Sequence, residues 1–173
     1  MDPDIKVLLS EEEIAKRIDE LGREITEQYK GKELTMVGII KGAIPFFIKL
    51  SSRIKLKQKW DFLALSSYGN RTESSGVVKI NMDLGATIER RHVLIIEDII
   101  DTGLTMDYVL NNLKTRRPAS LKICTLLFKE GNLKRKINID FVGFKIPKKF
   151  VVGFGLDYAE KYRELPYIGS IEA

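Results

Sequence analysis

Apolar residues Ile14, Ile18, Leu21 and Ile25 recur at helical spacing behind Ser10, and Glu13 completes a capping-box pattern, so a first helix is expected from about Glu11 to Tyr29. Gly31 ends it, and the period changes. Leu34 to Ile40 is an apolar run of strand length, broken by Lys41-Gly42-Ala43-Ile44-Pro45, with a helix restarting behind the proline. Trp60 to Leu65 reads as a second strand. The eleven polar residues Ser66 to Gly76 then form a loop, and Val77 to Met82 alternates like the returning arm of a long hairpin. Val93 to Ile96 is a short apolar run bounded by charge, as expected of a buried strand in a parallel sheet. An amphipathic segment from Met106 to Thr115 follows, Pro118 stops it, and Leu121 to Phe128 and Ile139 to Phe144 supply two more core strands. Strands alternating with helical segments predict an α/β fold: a mostly parallel twisted sheet with helices on both faces.

Composition narrows this only slightly. A chain of 173 residues, 44% hydrophobic and 31% charged, suits one globular domain over residues 1–173 with a single well-buried core. The net charge of +5 favours phosphorylated ligands or nucleic acid, although Lys55/Lys57/Lys59, Arg116-Arg117, Lys134-Arg135-Lys136 and Lys148-Lys149 each read most simply as solvated surface. The single cysteine, Cys124, excludes an internal disulfide, and no ligand cluster suggests zinc. No signal-type start and no apolar run near ~18 residues occurs, so a cytoplasmic location without membrane contact is expected. No Walker A pattern, serine elbow or histidine triad is present, which argues against P-loop hydrolysis and acyl transfer. His92, the only histidine, falls at a strand start and reads as structural.

The chemistry concentrates in HVLIIEDIIDTGLTM, His92 to Met106. In a parallel sheet the loop after this strand lies at the carboxyl ends of the strands, where ligands bind. Gly103 permits a tight turn, amides at the helix start point together, and Thr102 and Thr105 add hydroxyl donors around Leu104, making a cradle for a phosphate dianion. Glu97, Asp98 and Asp101 cannot hold phosphate. They suit sugar hydroxyls, a metal ion, or a proton in transit.

EDIIDTGLT resembles the phosphoribosyl pyrophosphate (PRPP) motif of the type I phosphoribosyltransferases, in wording closest to the hypoxanthine-guanine branch. The resemblance runs from about residue 10 to residue 170, through several separate motifs in the family's order. It implies a small hood over the sheet, built from about residues 1–10 and 145–173, and a mobile loop at about 66–76 in which Ser67-Tyr68 closes over the site to exclude water. It implies that residues Asp101 to Thr105 seat the 5-phosphate, with Glu97 and Asp98 on the ribose hydroxyls. Lys41-Gly42 and Arg163 would meet pyrophosphate, Lys41-Gly42 through backbone amides often set across a non-proline cis peptide. Lys129 would donate to the exocyclic oxygen of a 6-oxopurine, Phe150 would stack on the ring, and backbone carbonyls near Val151 and Asp157 would read its edge. Glu97, Asp98 and Asp157 would associate with Mg2+, and Asp101 would accept a purine proton. The implied partners are PRPP, hypoxanthine or guanine, and further copies of the chain in a dimer or tetramer, with no nucleic acid.

Two positions depart from the pattern. Leu104 stands where some relatives have lysine, and Ser66 stands where some carry a basic residue, which leaves one pyrophosphate contact open. Two other readings share the fold: a regulator that senses PRPP and binds RNA through its basic surface, and a nucleotide-binding module without chemistry. Lys129, Phe150 and Asp101 together favour the enzyme, since a sensor has no use for a base pocket with a proton acceptor.

Overall fold

A computed structural model describes residues 4–67 and 78–171, with the side chain of Ser67 excepted. Along the chain the elements are β1 (Ile5–Leu9), α1 (Glu11–Gln28), β2 (Leu34–Ile40), α2 (Ile44–Arg53), β3 (Gln58–Ser67), β4 (Val78–Met82), β5 (His92–Ile100), α3 (Leu104–Lys114), β6 (Ser120–Lys129), β7 (Phe141–Ile146), β8 (Phe150–Val152) and β9 (Ile168–Ile171).

The start of α1 is fixed by its own sequence. The Glu13 amide donates to Ser10 Oγ at 3.2 Å and the Ser10 amide donates to Glu13 Oε2 at 2.8 Å, satisfying two amides that the helix leaves unpaired. Its buried face is Ile14, Ile18, Leu21, Gly22 and Ile25. Gly22 is required there because Arg53 Cβ of α2 lies 2.4 Å from where a Cβ would stand, so the two helices meet backbone to backbone.

The main sheet has the order β4-β3-β2-β5-β6-β7, and every pairing is parallel except that of β4 with β3. Alternate residues of β5 point to opposite faces. Leu94 and Ile96 pack with Phe46, Phe47 and Leu50 beneath α1 and α2, while Val93 and Ile95 pack with Met106, Val109 and Leu113 of α3. Burial on both sides explains why this strand reads as an unbroken apolar run. From β2 the chain crosses through α2 to β3 on one side, whereas β5 joins β2 on the other. The strand order therefore reverses between β2 and β5, opening a crevice at their carboxyl ends. Above it sits a three-stranded antiparallel sheet, β1-β9-β8, in which the N-terminal strand and the C-terminal segment join as the expected hood.

Several boundaries differ from expectation. β5 continues past Ile96 to Ile100 because its ladder to β6 continues, with Glu97 opposite Thr125 and Ile99 opposite Leu127. The acidic pair thus belongs to the strand and not to the loop. α3 begins at Leu104, two residues early, since Gly103 at φ 77° turns the chain at once. β7 starts at Phe141, two residues late, and runs to Ile146. Cys124 is fully buried, and His92 Nδ1 lies 2.8 Å from Ser120 Oγ, as fits a structural role. The polar loop expected over 66–76 falls beyond the described residues from Tyr68 onward.

Phe47 carries much of the packing on the α2 side. It is fully buried, edge-on to Trp60 at 5.3 Å and tilted on Phe62 at 4.9 Å. Phe47→Ala should lower unfolding free energy by about 3–5 kcal/mol, measured by urea titration.

Candidate active site

The carboxyl end of β5 brings two acids out of water together. Glu97 is buried and Asp98 half-buried, and no lysine or arginine among the described residues bonds either one. The Asp98 amide donates to Glu97 Oε1 at 3.2 Å and the Ile99 amide to Asp98 Oδ1 at 2.6 Å. Burial first, and then the charge of Asp98, pushes the Glu97 carboxyl well above its ordinary range. Burial also raises Asp98, partly offset by hydrogen bonding with Glu97, the Ile99 amide and the charge of Arg163.

Asp98 leans across the crevice onto the loop after β2. A Cβ on Gly42 would stand 1.7 Å from Asp98 Oδ2, so only glycine admits this approach. A non-proline cis peptide lies just upstream, between Ile40 and Lys41, one bond before the Lys41-Gly42 pair.

After β5 the chain forms the cradle read from sequence. Glu97, Asp101, Thr102, Gly103, Thr105 and Met106 line one cavity together with Ile99 and Ile100. Gly103 is the N-cap of α3 and offers no side chain to the first helical amides. Those amides and the positive end of the helix are therefore available to an anion. Leu104 enters the helix, where its amide approaches Thr102 Oγ1 at 3.5 Å.

Asp101 stands at the mouth of the cradle. Lys129 Nζ, at the end of β6 and nearly buried, donates to Asp101 Oδ2 at 2.8 Å, and the Asn132 amide donates to Oδ1. Burial raises the Asp101 carboxyl, but these two hydrogen bonds and the charges of Lys129 and Lys148 outweigh it and hold it below the usual carboxylate range.

The hood segment closes the opposite side. Gly155 at φ 99° packs on Gly42, whose carbonyl oxygen would lie 2.0 Å from an added Cβ. Arg163 Nη1 donates to the Gly155 carbonyl at 2.7 Å, and Nη2 lies 2.8 Å from Asp157 and 3.5 Å from Glu160. Glu160 also pairs with Lys41 at 3.1 Å. Phe150 is about half exposed, edge-on to Tyr158 at 5.6 Å, whereas Val151 is buried and faces Ser170 in the ladder.

The fold thus gathers Lys41, Gly42, Glu97, Asp98, Asp101 to Thr105, Lys129, Asp157 and Arg163 around the ends of β2, β5 and β6, while Phe150 and Val151 stand on β8 of the hood. Ser67 contributes only backbone to the described residues, and Tyr68 lies outside them. The expected metal set does not close. Asp157 is paired with Arg163 and accepts from the Glu160 amide at 2.8 Å, and among the described residues no three His, Cys, Asp or Glu side chains converge on one point. Glu97 and Asp98 alone still fit a divalent cation that brings most of its ligands with a substrate, since two buried carboxylates lacking a cation are hard to charge. Asn132 and Glu160 were not singled out by the sequence, because their partners lie 31 and 119 residues away.

Two measurements test this geometry. Gly42→Ala should drive Asp98 from its seat and abolish ligand binding by calorimetry while the protein still folds. Glu97 in the folded protein keeps a proton that the unfolded chain has already shed, so stability falls as pH rises from the ordinary carboxylate range toward the raised value. Glu97→Gln should therefore melt at a higher temperature than wild type at neutral pH without ligand, and the gap should close in acid.

Comparison with known proteins bears on the same residues. A family model described as "Phosphoribosyl transferase domain" matches residues 4–159. A Bacillus subtilis protein named hypoxanthine-guanine phosphoribosyltransferase is 52% identical over 96% of this chain and 93% of its own length. The "Bifunctional protein TilS/HprT" of Listeria monocytogenes is 51% identical, but this chain spans only about a quarter (26%) of that longer relative. A crystal structure of a Staphylococcus aureus hypoxanthine phosphoribosyltransferase superposes with a TM-score of 0.93 at 48% identity, covering 96% of this chain and 91% of that one. With its motifs in order, its crevice at the strand reversal and these matches over nearly its whole length, the chain belongs to the phosphoribosyl transferase family.

Proposed function

We propose that the chain is a purine-salvage phosphoribosyltransferase that moves 5-phosphoribosyl from PRPP to N9 of hypoxanthine or guanine, giving IMP or GMP and pyrophosphate. The observation that carries this reading is the Asp101–Lys129 pair at 2.8 Å beside the phosphate cradle. A proton acceptor and an ammonium donor side by side at the mouth of a phosphate cradle support this reading.

Asp101 to Thr105 seat the 5-phosphate with the first amides of α3, while Glu97 and Asp98 accept from the ribose hydroxyls and lie near the positive charge that develops on the ring. Lys41, Gly42 and Arg163 hold the departing pyrophosphate; guanidinium suits a forked phosphate contact. The bond from C1′ to the pyrophosphate oxygen breaks with its electron pair leaving on oxygen, the bond from N9 to C1′ forms, and Asp101 takes the purine proton, from N7. Lys129 donates to the 6-oxo group, and adenine, with a 6-amino group, would set donor against donor. Phe150, already exposed, stacks on the base, with the backbone of Val151 and Asp157 at its edge. Glu97 and Asp98 would hold Mg2+, which when bound would neutralise charge on the pyrophosphate and polarise its oxygens.

No helix among the described residues is long and apolar enough to cross a membrane, and a cytoplasmic enzyme fits that. Self-association as a dimer or tetramer is supported by a wholly apolar surface of Ile44, Ile48, Trp60, Phe62 and Met82.

A spectrophotometric assay with PRPP, Mg2+ and each purine should show turnover of hypoxanthine or guanine and none of adenine. Asp101→Ala should cut turnover ~100-fold or more while PRPP still binds, and Lys129→Ala should erode the preference for 6-oxopurines. Silence with every base, together with salt-sensitive RNA binding, would point instead to the regulator.

A further inference from the structure

The loop between β6 and β7 carries a residue that the proposed reaction has not yet used. Asn132 donates its side-chain amide to Asp101 Oδ1, on the side of the carboxylate away from Lys129. A carboxylate only accepts, so the amide nitrogen and not its oxygen must face it. The same loop is fastened to the phosphate cradle twice more. The Lys134 amide donates to the Thr102 carbonyl at 2.9 Å, and Leu133 and Ile137 pack over Gly103, their methyl carbons 3.0 and 3.4 Å from where a Cβ would stand.

We propose that Asn132 is a positioning residue, its amide fixing the Asp101 carboxylate in one orientation while its loop is bonded to the turn that seats the 5-phosphate. The inference rests on the phosphoribosyltransferase reading. Three consecutive residues of the cradle, Asp101, Thr102 and Gly103, all meet this loop, so the proton acceptor and the phosphate seat are held by the same strap. The Asn132 hydrogen bond favours the charged carboxylate, and so it restrains the basicity of the group that must accept the purine proton. The other charged groups around Asp101 are Lys129 of β6 and Lys148 of the turn before β8, with Glu97 and Asp98 upstream on β5 and Lys134 and Arg135 on the strap itself. Lys129 and Lys148 act in the same direction as Asn132, so their charge remains when the amide is removed.

The test compares wild type with Asn132→Ala and Asn132→Asp, a half-exposed loop position whose replacement leaves the core intact. In the unliganded proteins, carbon-detected NMR titration of the Asp101 carboxyl should place its midpoint higher in Asn132→Ala than in wild type. It should lie higher again in Asn132→Asp, where a second carboxylate replaces the donor. In turnover, the acidic limb of the kcat profile should move to higher pH in the same order. On the plateau kcat should fall roughly fivefold to tenfold in Asn132→Ala, with KM for PRPP within about twofold. Coincident Asp101 titrations in wild type and Asn132→Ala would overturn the proposal, as would equal effects of the alanine and aspartate variants. The NMR measurement needs no activity, so a wild type that turns over no purine would remove the functional reading while the titration still decides the role of Asn132.

Discussion

Two adjacent carboxylates withdrawn from water are the constraint around which this fold is arranged. A carboxyl group taken out of water loses the hydration that supports its charge, so burial disfavours the ionised form unless a partner replaces that hydration. Glu97 and Asp98 meet that cost without a bonded lysine or arginine among the described residues, and burial is the leading cause of their raised titration. A flexible segment would relieve that cost by turning its side chains to solvent. β5 has little such freedom, since it is paired with β2 as far as Ile96 and with β6 through Ile100, and is packed on both faces. The continuous apolar run Val93 to Ile96 anchors the acids that follow it.

The same rigidity explains the glycines on the far wall of the crevice. Asp98 leaves no room for a side chain at Gly42, and Gly42 in turn leaves none at Gly155. Carboxylate, loop backbone and hood backbone are stacked in direct contact. Arg163 ties the layer from outside through the Gly155 carbonyl. The hood is therefore registered against the end of β5 through backbone contacts, and the position of Phe150 relative to Asp98 follows from that stack.

Much of this was legible in the chain. Helical spacing and the capping box located α1, and alternating strands and helices gave the parallel sheet. The phrase from Glu97 to Thr105 marked the site because its chemistry is local: glycine, hydroxyls and helix amides lie within one turn. Pairings across the fold were not legible. Lys129 and Asp101 are 28 residues apart, and neither neighbourhood signals that a strand end will deliver one to the other. Asn132 sits in a short polar turn with a glycine, indistinguishable by composition from a solvated loop. The extension of β5 through Glu97 and Asp98 was hidden for another reason: charge reads as a strand end, and only the continuing ladder to β6 overrides it.

The cations of the site form pairs of unequal strength. Lys129 on Asp101 is nearly buried, whereas Lys41 on Glu160 is largely exposed and Arg163 divides its fork among Asp157, Glu160 and a carbonyl. Exposed pairs are screened by water and contribute little, so Lys41 is oriented at almost no cost to a ligand that replaces Glu160. The Lys129–Asp101 pair is harder to open, because Lys129 is nearly buried and would be left a poorly solvated charge without Asp101. In the proposed reaction this ordering suits the two substrates. A pyrophosphate, with charge of its own, displaces the weak pairs, while the neutral purine must reach Asp101 and Lys129 as donor to one and acceptor to the other. In that proposal a base that cannot do both leaves the Lys129–Asp101 pair closed, and discrimination rests on this one ion pair.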